Sequence, residues 1–198
     1  MNRIIDFFLP SASDRLVEDI QRQLAPCPSV RSISAMPIES LPSSATLRAI
    51  AQTSVATYTA LLTRPVGLSL GEGALERMAR AADDSQAVMV YADRLEQKQL
   101  NGTTTVERHP VIDYQLGSIR DDFDFGPLLL VRTSMLKQWA QEHADTAYLF
   151  AGLYDLRLFL SRHGQLFHLG EFLYTEVQTD LRTSGEKQFD YVNPANPA

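Results

Sequence analysis

The sequence predicts an α/β fold, a layered and mostly parallel sheet flanked by helices. Two observations lead there. Up to Ala92, short apolar runs alternate with segments of helical apolar spacing, in the order strand, helix, strand, helix, strand, helix, strand. The composition suits one folded domain: 198 residues, 44% hydrophobic and 21% charged, with 10 glycines and 10 prolines. Such a chain is not collagen-like, low in complexity or mostly disordered.

Each element has its own signal. Arg3 to Leu9 is an Ile- and Phe-rich strand closed by Pro10. From Ser13 to Leu24, the residues Leu16, Val17, Ile20 and Leu24 fall on one helical face; Ser13 is the N-cap, Asp14 sits at the positive helix end, and Pro26 and Pro28 are stops. Val30 to Met36 alternates apolar and polar residues as a half-buried strand does. Strand, helix and strand then form a unit that normally makes a right-handed crossover. Ser43 to Val55 is a second helix, and Thr57 to Thr63 a strand broken by Arg64, Pro65 and Gly67. Gly73 to Ala82 is a third helix, followed by a strand from Ala87 to Ala92.

Beyond Ala92 the pattern changes. Asn101-Gly102 between Gln- and Thr-rich arms predicts a hairpin, whereas HPVIDYQLGSIRDDFDFG has no clear period. A long irregular stretch inside a compact domain is more often functional than idle. Gly126 to Arg132 reads as a buried strand, Ser134 to His143 as a helix capped by Ser134, Leu153 to Arg162 as a helix ended by Gly164, and Phe167 to Val177 as strand. The domain is expected to occupy residues 1–178, with 179–198 a polar tail leading into a longer protein.

A net charge of −6 disfavours a nucleic-acid or anionic-membrane surface, which needs clustered cations. No apolar run approaches the roughly 20 residues of a spanning helix. Asp6 interrupts the apolar start and no small-residue cleavage site follows, so the protein is read as cytoplasmic. The single cysteine, Cys27, cannot pair internally and has no partners at zinc-ligand spacing.

The densest acidic cluster is Asp121, Asp122 and Asp124, interleaved with Phe123 and Phe125. Carboxylates this close bind a hard cation, hold sugar hydroxyls or pair with arginines, or else form a solvated loop. The alternation would expose the acids along a cleft lip while the aromatics anchor the loop. Asp155 lies near a helix start, where the dipole favours the ionised form suited to a base, although acids are common there for purely structural reasons. His163 and His168 are expected to be hydrogen-bonded structural residues. Nucleophile-elbow, P-loop, GxGxxG and HExxH motifs are absent from the sequence.

Taken in order, several segments carry a resemblance: IIDFFLP, GALERMARAADDSQAVMVYADR, GPLLLVRTSML and YDLRLFLSRHGQLFHL. Together they span most of the chain, and it resembles the family 2 glycosyltransferases of the GT-A fold, a bacterial branch in particular. The resemblance implies a GT-A-like sheet and transfer of a sugar from a nucleotide-diphosphate sugar to a hydroxyl acceptor. It places Asp155 at the position of the acceptor-activating base. Donor or acceptor contacts are implied for Pro10 and Ser11 at the end of the first strand, for Arg48 and Arg64 facing the diphosphate, and for Asp121, Asp122 and Asp124.

The departures matter too. Pro10-Ser11-Ala12-Ser13 replaces the usual turn, and Ala35, Met36 and Pro37 stand where an acid would read the base. Thr63-Arg64-Pro65-Val66-Gly67 stands where an Asp-x-Asp is expected to hold Mg²⁺ or Mn²⁺. Either Arg64 substitutes for the metal as a fixed cation, or the domain is a catalytically inactive binding or assembly module on the same fold. An unrelated α/β protein is the third reading.

Overall fold

In a computed structural model, which describes residues 3–11, 13–37, 42–100, 103–120 and 123–177, the apolar runs join one eight-stranded sheet. The strands are β1 (Ile5–Ser11), β2 (Val30–Pro37), β3 (Tyr58–Leu62), β4 (Gly67–Leu70), β5 (Met89–Leu100), β6 (Thr103–His109), β7 (Leu128–Arg132) and β8 (Leu166–Val177). The helices are α1 (Asp14–Leu24), α2 (Ser44–Thr53), α3 (Ala74–Ser85), α4 (Thr133–Glu142) and α5 (Gly152–His163). Strand order is β2-β1-β3-β7-β5-β8-β4, with β6 on β5 off this path. β1, β2, β3, β5 and β8 run one way, and β4, β6 and β7 the other. The predicted mostly parallel, helix-flanked sheet is therefore present.

Two cores cover the two faces. Phe7, Leu9, Ala60, Leu62, Val90 and Leu130 pack under α1 and α3, and the alternate residues Phe8, Leu61, Met89, Tyr91 and Leu129 pack under α2, α4 and α5. A two-residue side-chain period divides one strand between two cores in this way. Ser13 and Ser43 cap α1 and α2 by accepting from the amides of Leu16 and Thr46.

Four details differ from expectation. β4 was hidden by its length, because four residues after a break carry little periodicity, and its partner β8 lies far along the chain. β5 runs past Ala92 to Leu100 and pairs with β6 from Arg94↔His109 to Leu100↔Thr103; these are the hairpin arms, and Asn101-Gly102 lies outside the described residues. Ser134 is not the α4 cap: the helix begins at Thr133 directly after β7, with Arg132 in the cap position and no side-chain cap. Gly164 does end α5, but in extended backbone; any Cβ there would collide with Val88, so close approach explains the glycine.

Asp6 is a fully buried carboxylate on β1. It accepts from Arg31 Nε (2.6 Å), Ser32 Oγ (2.5 Å) and the amides of Val55 (2.8 Å) and Ala56 (2.9 Å), tying β2 and the approach to β3 onto β1. Burial pushes its pKa up, but these hydrogen bonds outweigh burial and hold it below the ordinary 3.8. The unfolded chain therefore takes up this proton first, so the stabilisation is complete above that value and is lost as pH falls through the lower folded one. Urea midpoints measured from about pH 5 to about pH 3 are expected to fall, and Asp6→Asn should flatten that slope. The variant should also cost about 1–3 kcal/mol at neutral pH. Equal slopes in both proteins would contradict this assignment.

Candidate functional site

The site forms where β3 ends and β5 outruns its central neighbours. Thr63, just past β3, donates its amide to Pro127 O (2.7 Å) and its hydroxyl to the same atom (3.1 Å). That pairing brings Arg64 beside the segment 123–127. Phe125 meets Tyr91 edge-on (4.9 Å between centroids) and stacks obliquely on Phe123 (4.4 Å). The aromatics thus anchor the loop at the carboxyl end of the central strands. Gly126 has φ +73 and no room for a Cβ against the Tyr174 hydroxyl; its amide donates to Asp124 Oδ1 (2.8 Å), fixing that carboxylate.

Around Asp124 the charges interlock. Arg94, 3% exposed, lies 3.0 Å from Asp124 Oδ2 through Nη1, 3.0 Å from Glu96 Oε1 through Nη2, and 2.8 Å from Glu176 Oε2 through Nε. The Glu96 contact is a well-aligned hydrogen bond; the other two are ion pairs whose N–H bonds point off the oxygens. Arg64 grips the same Glu176 with Nε (3.1 Å) and Nη2 (2.7 Å). His109 lies between Glu96 (2.9 Å from Nδ1) and Asp124 (3.2 Å from Nε2). Burial pushes the Asp124 carboxyl up, yet the Gly126 amide and the guanidinium groups of Arg94 and Arg64 hold it below the ordinary range. It is a fixed anion.

Beside this cluster opens a cleft of about 450 Å³ lined by His109, Pro110, Val111, Ile112, Ser118, Arg120, Phe123 and Asp124. Its walls come from the stretch that had no period in the sequence. Apolar walls with a few convergent polar groups are the usual make-up of a small-molecule site.

The expected site residues separate into two places. Arg64 and Asp124 share the charged cluster, and Asp121 and Asp122 lie outside the described residues. Pro10 is buried and Ser11 exposed at the carboxyl end of β1, paired with Met36 and Pro37. Asp155 and Arg48 belong instead to the α2, α4 and α5 layer. Asp155 Oδ2 accepts from Trp139 Nε1 (2.9 Å) and lies 3.6 Å from His143 Nε2. Arg48 Nη1 donates to the carbonyls of His143 (3.0 Å) and Thr146 (2.6 Å), closing the end of α4. His163 bonds the Phe159 carbonyl, a structural use as expected.

Sequence reasoning missed Arg94, Glu96, Glu176 and His109. A signal existed for two of them: Arg94 and Glu96 are two apart in a strand continuing an apolar run, so they share a face. Glu176 has no local signal, because its partners come from β5 and the end of β3.

Among the described residues no helix is long and apolar enough to cross a membrane. The described acids of the site also do not fit a divalent cation. Asp124, Glu96 and Glu176 spend their charge on Arg94, and no group of three His, Cys, Asp or Glu among the described residues forms a cation site.

No protein-family model matches this chain, and no curated protein matches it. Solved structures do. Residues 1–349 of S. aureus TarS, in complex with UDP-GlcNAc, superpose with TM-score 0.53 at 11% identity over 89% of this chain and 59% of that one. The same TarS region crystallised as "TarS 1-349" gives 0.57 at 11% over 88% and 60%. A further TarS structure gives 0.57 at 12% over 88% and 37%. This chain has a glycosyltransferase-like fold. The cleft opens on the side of the sheet where β3 ends, the usual ligand side of open α/β sheets. The matched region spans less than two thirds of each of these TarS chains.

Proposed function

We propose that residues 1–178 form a family 2-type glycosyltransferase-like domain that transfers a sugar from a nucleotide-diphosphate sugar to a hydroxyl acceptor. The observation that carries this reading is the cleft beside the Arg64–Glu176–Arg94–Asp124 cluster, at the carboxyl end of a glycosyltransferase-like sheet. TarS structures with UDP-GlcNAc and with UDP support a nucleotide sugar as the donor class.

In this reading Ser11 at the end of β1 and Arg64 meet the donor, while Arg48 stays on the carbonyls that close α4. Asp124, with Asp121 and Asp122, orients sugar hydroxyls. The acceptor oxygen attacks the anomeric carbon while its proton passes to Asp155. The bond from that carbon to the diphosphate oxygen breaks, and its electron pair leaves on phosphate. Guanidinium in place of a metal would neutralise that charge.

Arg64 is available for this task at modest cost. Its side chain is 42% exposed, and Glu176 keeps Arg94 as a partner if Arg64 turns toward phosphate. Titration with a panel of UDP-, GDP- and dTDP-sugars is expected to find saturable binding to at least one. Binding to none would contradict this reading and favour an assembly role.

A further inference from the structure

The cleft wall is a strap, residues 110–118, that crosses β5 and β8 without joining the sheet. Val111 and Tyr114 pack it onto the core under α2, α4 and α5, and polar bonds fasten it further. The Val111 amide donates to Asp93 Oδ1 (2.8 Å), the Tyr114 amide to the Tyr91 hydroxyl (2.8 Å), and that hydroxyl to the Ile112 carbonyl (2.9 Å). The last fastening is His168 of β8. Its Nε2 lies 2.8 Å from Asp93 Oδ1 and its Nδ1 2.7 Å from Asp113 Oδ1 on the strap, while its ring stacks on Tyr91 (5.1 Å, 16°).

This geometry depends on a proton. A neutral imidazole has one N–H and one lone pair, so it can donate to only one of the two carboxylates and turns its lone pair on the other. An imidazolium donates to both, and its charge also favours the tyrosine face beneath it. We propose that protonation of His168 fastens the strap over the cleft and that its deprotonation releases the Asp113 end.

Asp113 is the partner that lets go. Asp93 is buried and also accepts from Val111, whereas the Asp113 side chain is 84% exposed and can turn to water. The groups facing His168 are Asp93 and Tyr91 from β5 and Asp113 from the strap. Burial pushes the Tyr91 phenol up to about 12, so it does not titrate alongside the histidine. The inference concerns the regulation of the cleft named above, but it does not require that the cleft bind a nucleotide sugar.

Amide hydrogen exchange of the ligand-free protein, corrected for intrinsic rates, tests it across the pH range over which the His168 ring changes charge. Protection at Tyr114 and Val111 is expected to drop about three- to tenfold as the His168 ring deprotonates, its ring shifts being followed in parallel by NMR. That size suits one ionic hydrogen bond to an exposed partner. In Asp113→Asn, a surface change, and in His168→Gln, this pH response should vanish. Equal protection at both ends of the range would overturn the proposal. So would a response that survives in both variants, which would assign it to His109, retained in each.

Discussion

Arg94→Met is expected to lower the unfolding free energy by about 3 kcal/mol, the lower end of what removing one partner of a buried ion pair costs. Methionine roughly fills the space but leaves Asp124, Glu96 and Glu176 without the guanidinium they share. The loss stays near the lower end because Arg64 still reaches Glu176, and Lys98 and His109 still reach Glu96. Arg94→Lys should recover little of it, since one ammonium cannot span three carboxylates on three different sides. Urea unfolding of the three proteins checks this. A Met variant within about 0.5 kcal/mol of the parent would show that the cluster is not a structural keystone.

The second large effect is on turnover. Asp155→Asn is expected to reduce the rate of sugar transfer by about 10² to 10⁴, the usual worth of general-base help, with donor binding nearly intact. The substitution is clean because an asparagine carbonyl can still accept from Trp139 Nε1, which holds the side chain between α4 and α5. A drop in turnover would then report the lost proton acceptor rather than lost packing. Unchanged turnover would remove Asp155 from the mechanism and leave it as a strut for the Trp139 indole.

Most of the fold was legible because the first half of the chain announces itself locally. The Ser13 and Ser43 caps, the Leu16 to Leu24 stripe and the Val30 to Met36 alternation each act within a few residues, and each stands in the structure. Where sequence reasoning fell short, the deciding partner was distant. β4 exists only because β8 lies beside it. The start of α4 was misplaced because β7 runs into the helix with no connecting loop, so Ser134 was never needed as a cap. The site divides in the same way. The phenylalanines of RDDFDFG point inward as their alternation implied, and Asp124 reaches the cleft. Arg94 was passed over because a charged residue in a strand reads as solvent-facing until its three acids, from β5, β8 and a loop, are brought together.

Arg64 links the charged cluster to the proposed chemistry, and calorimetry of a nucleotide sugar on the parent and on Arg64→Ala, each with and without Mn²⁺, tests that link most directly. The account predicts binding that is largely indifferent to Mn²⁺ and weakened about 10- to 100-fold by the substitution, the worth of one charge-assisted phosphate contact. Strong binding that requires Mn²⁺ and survives Arg64→Ala would contradict it.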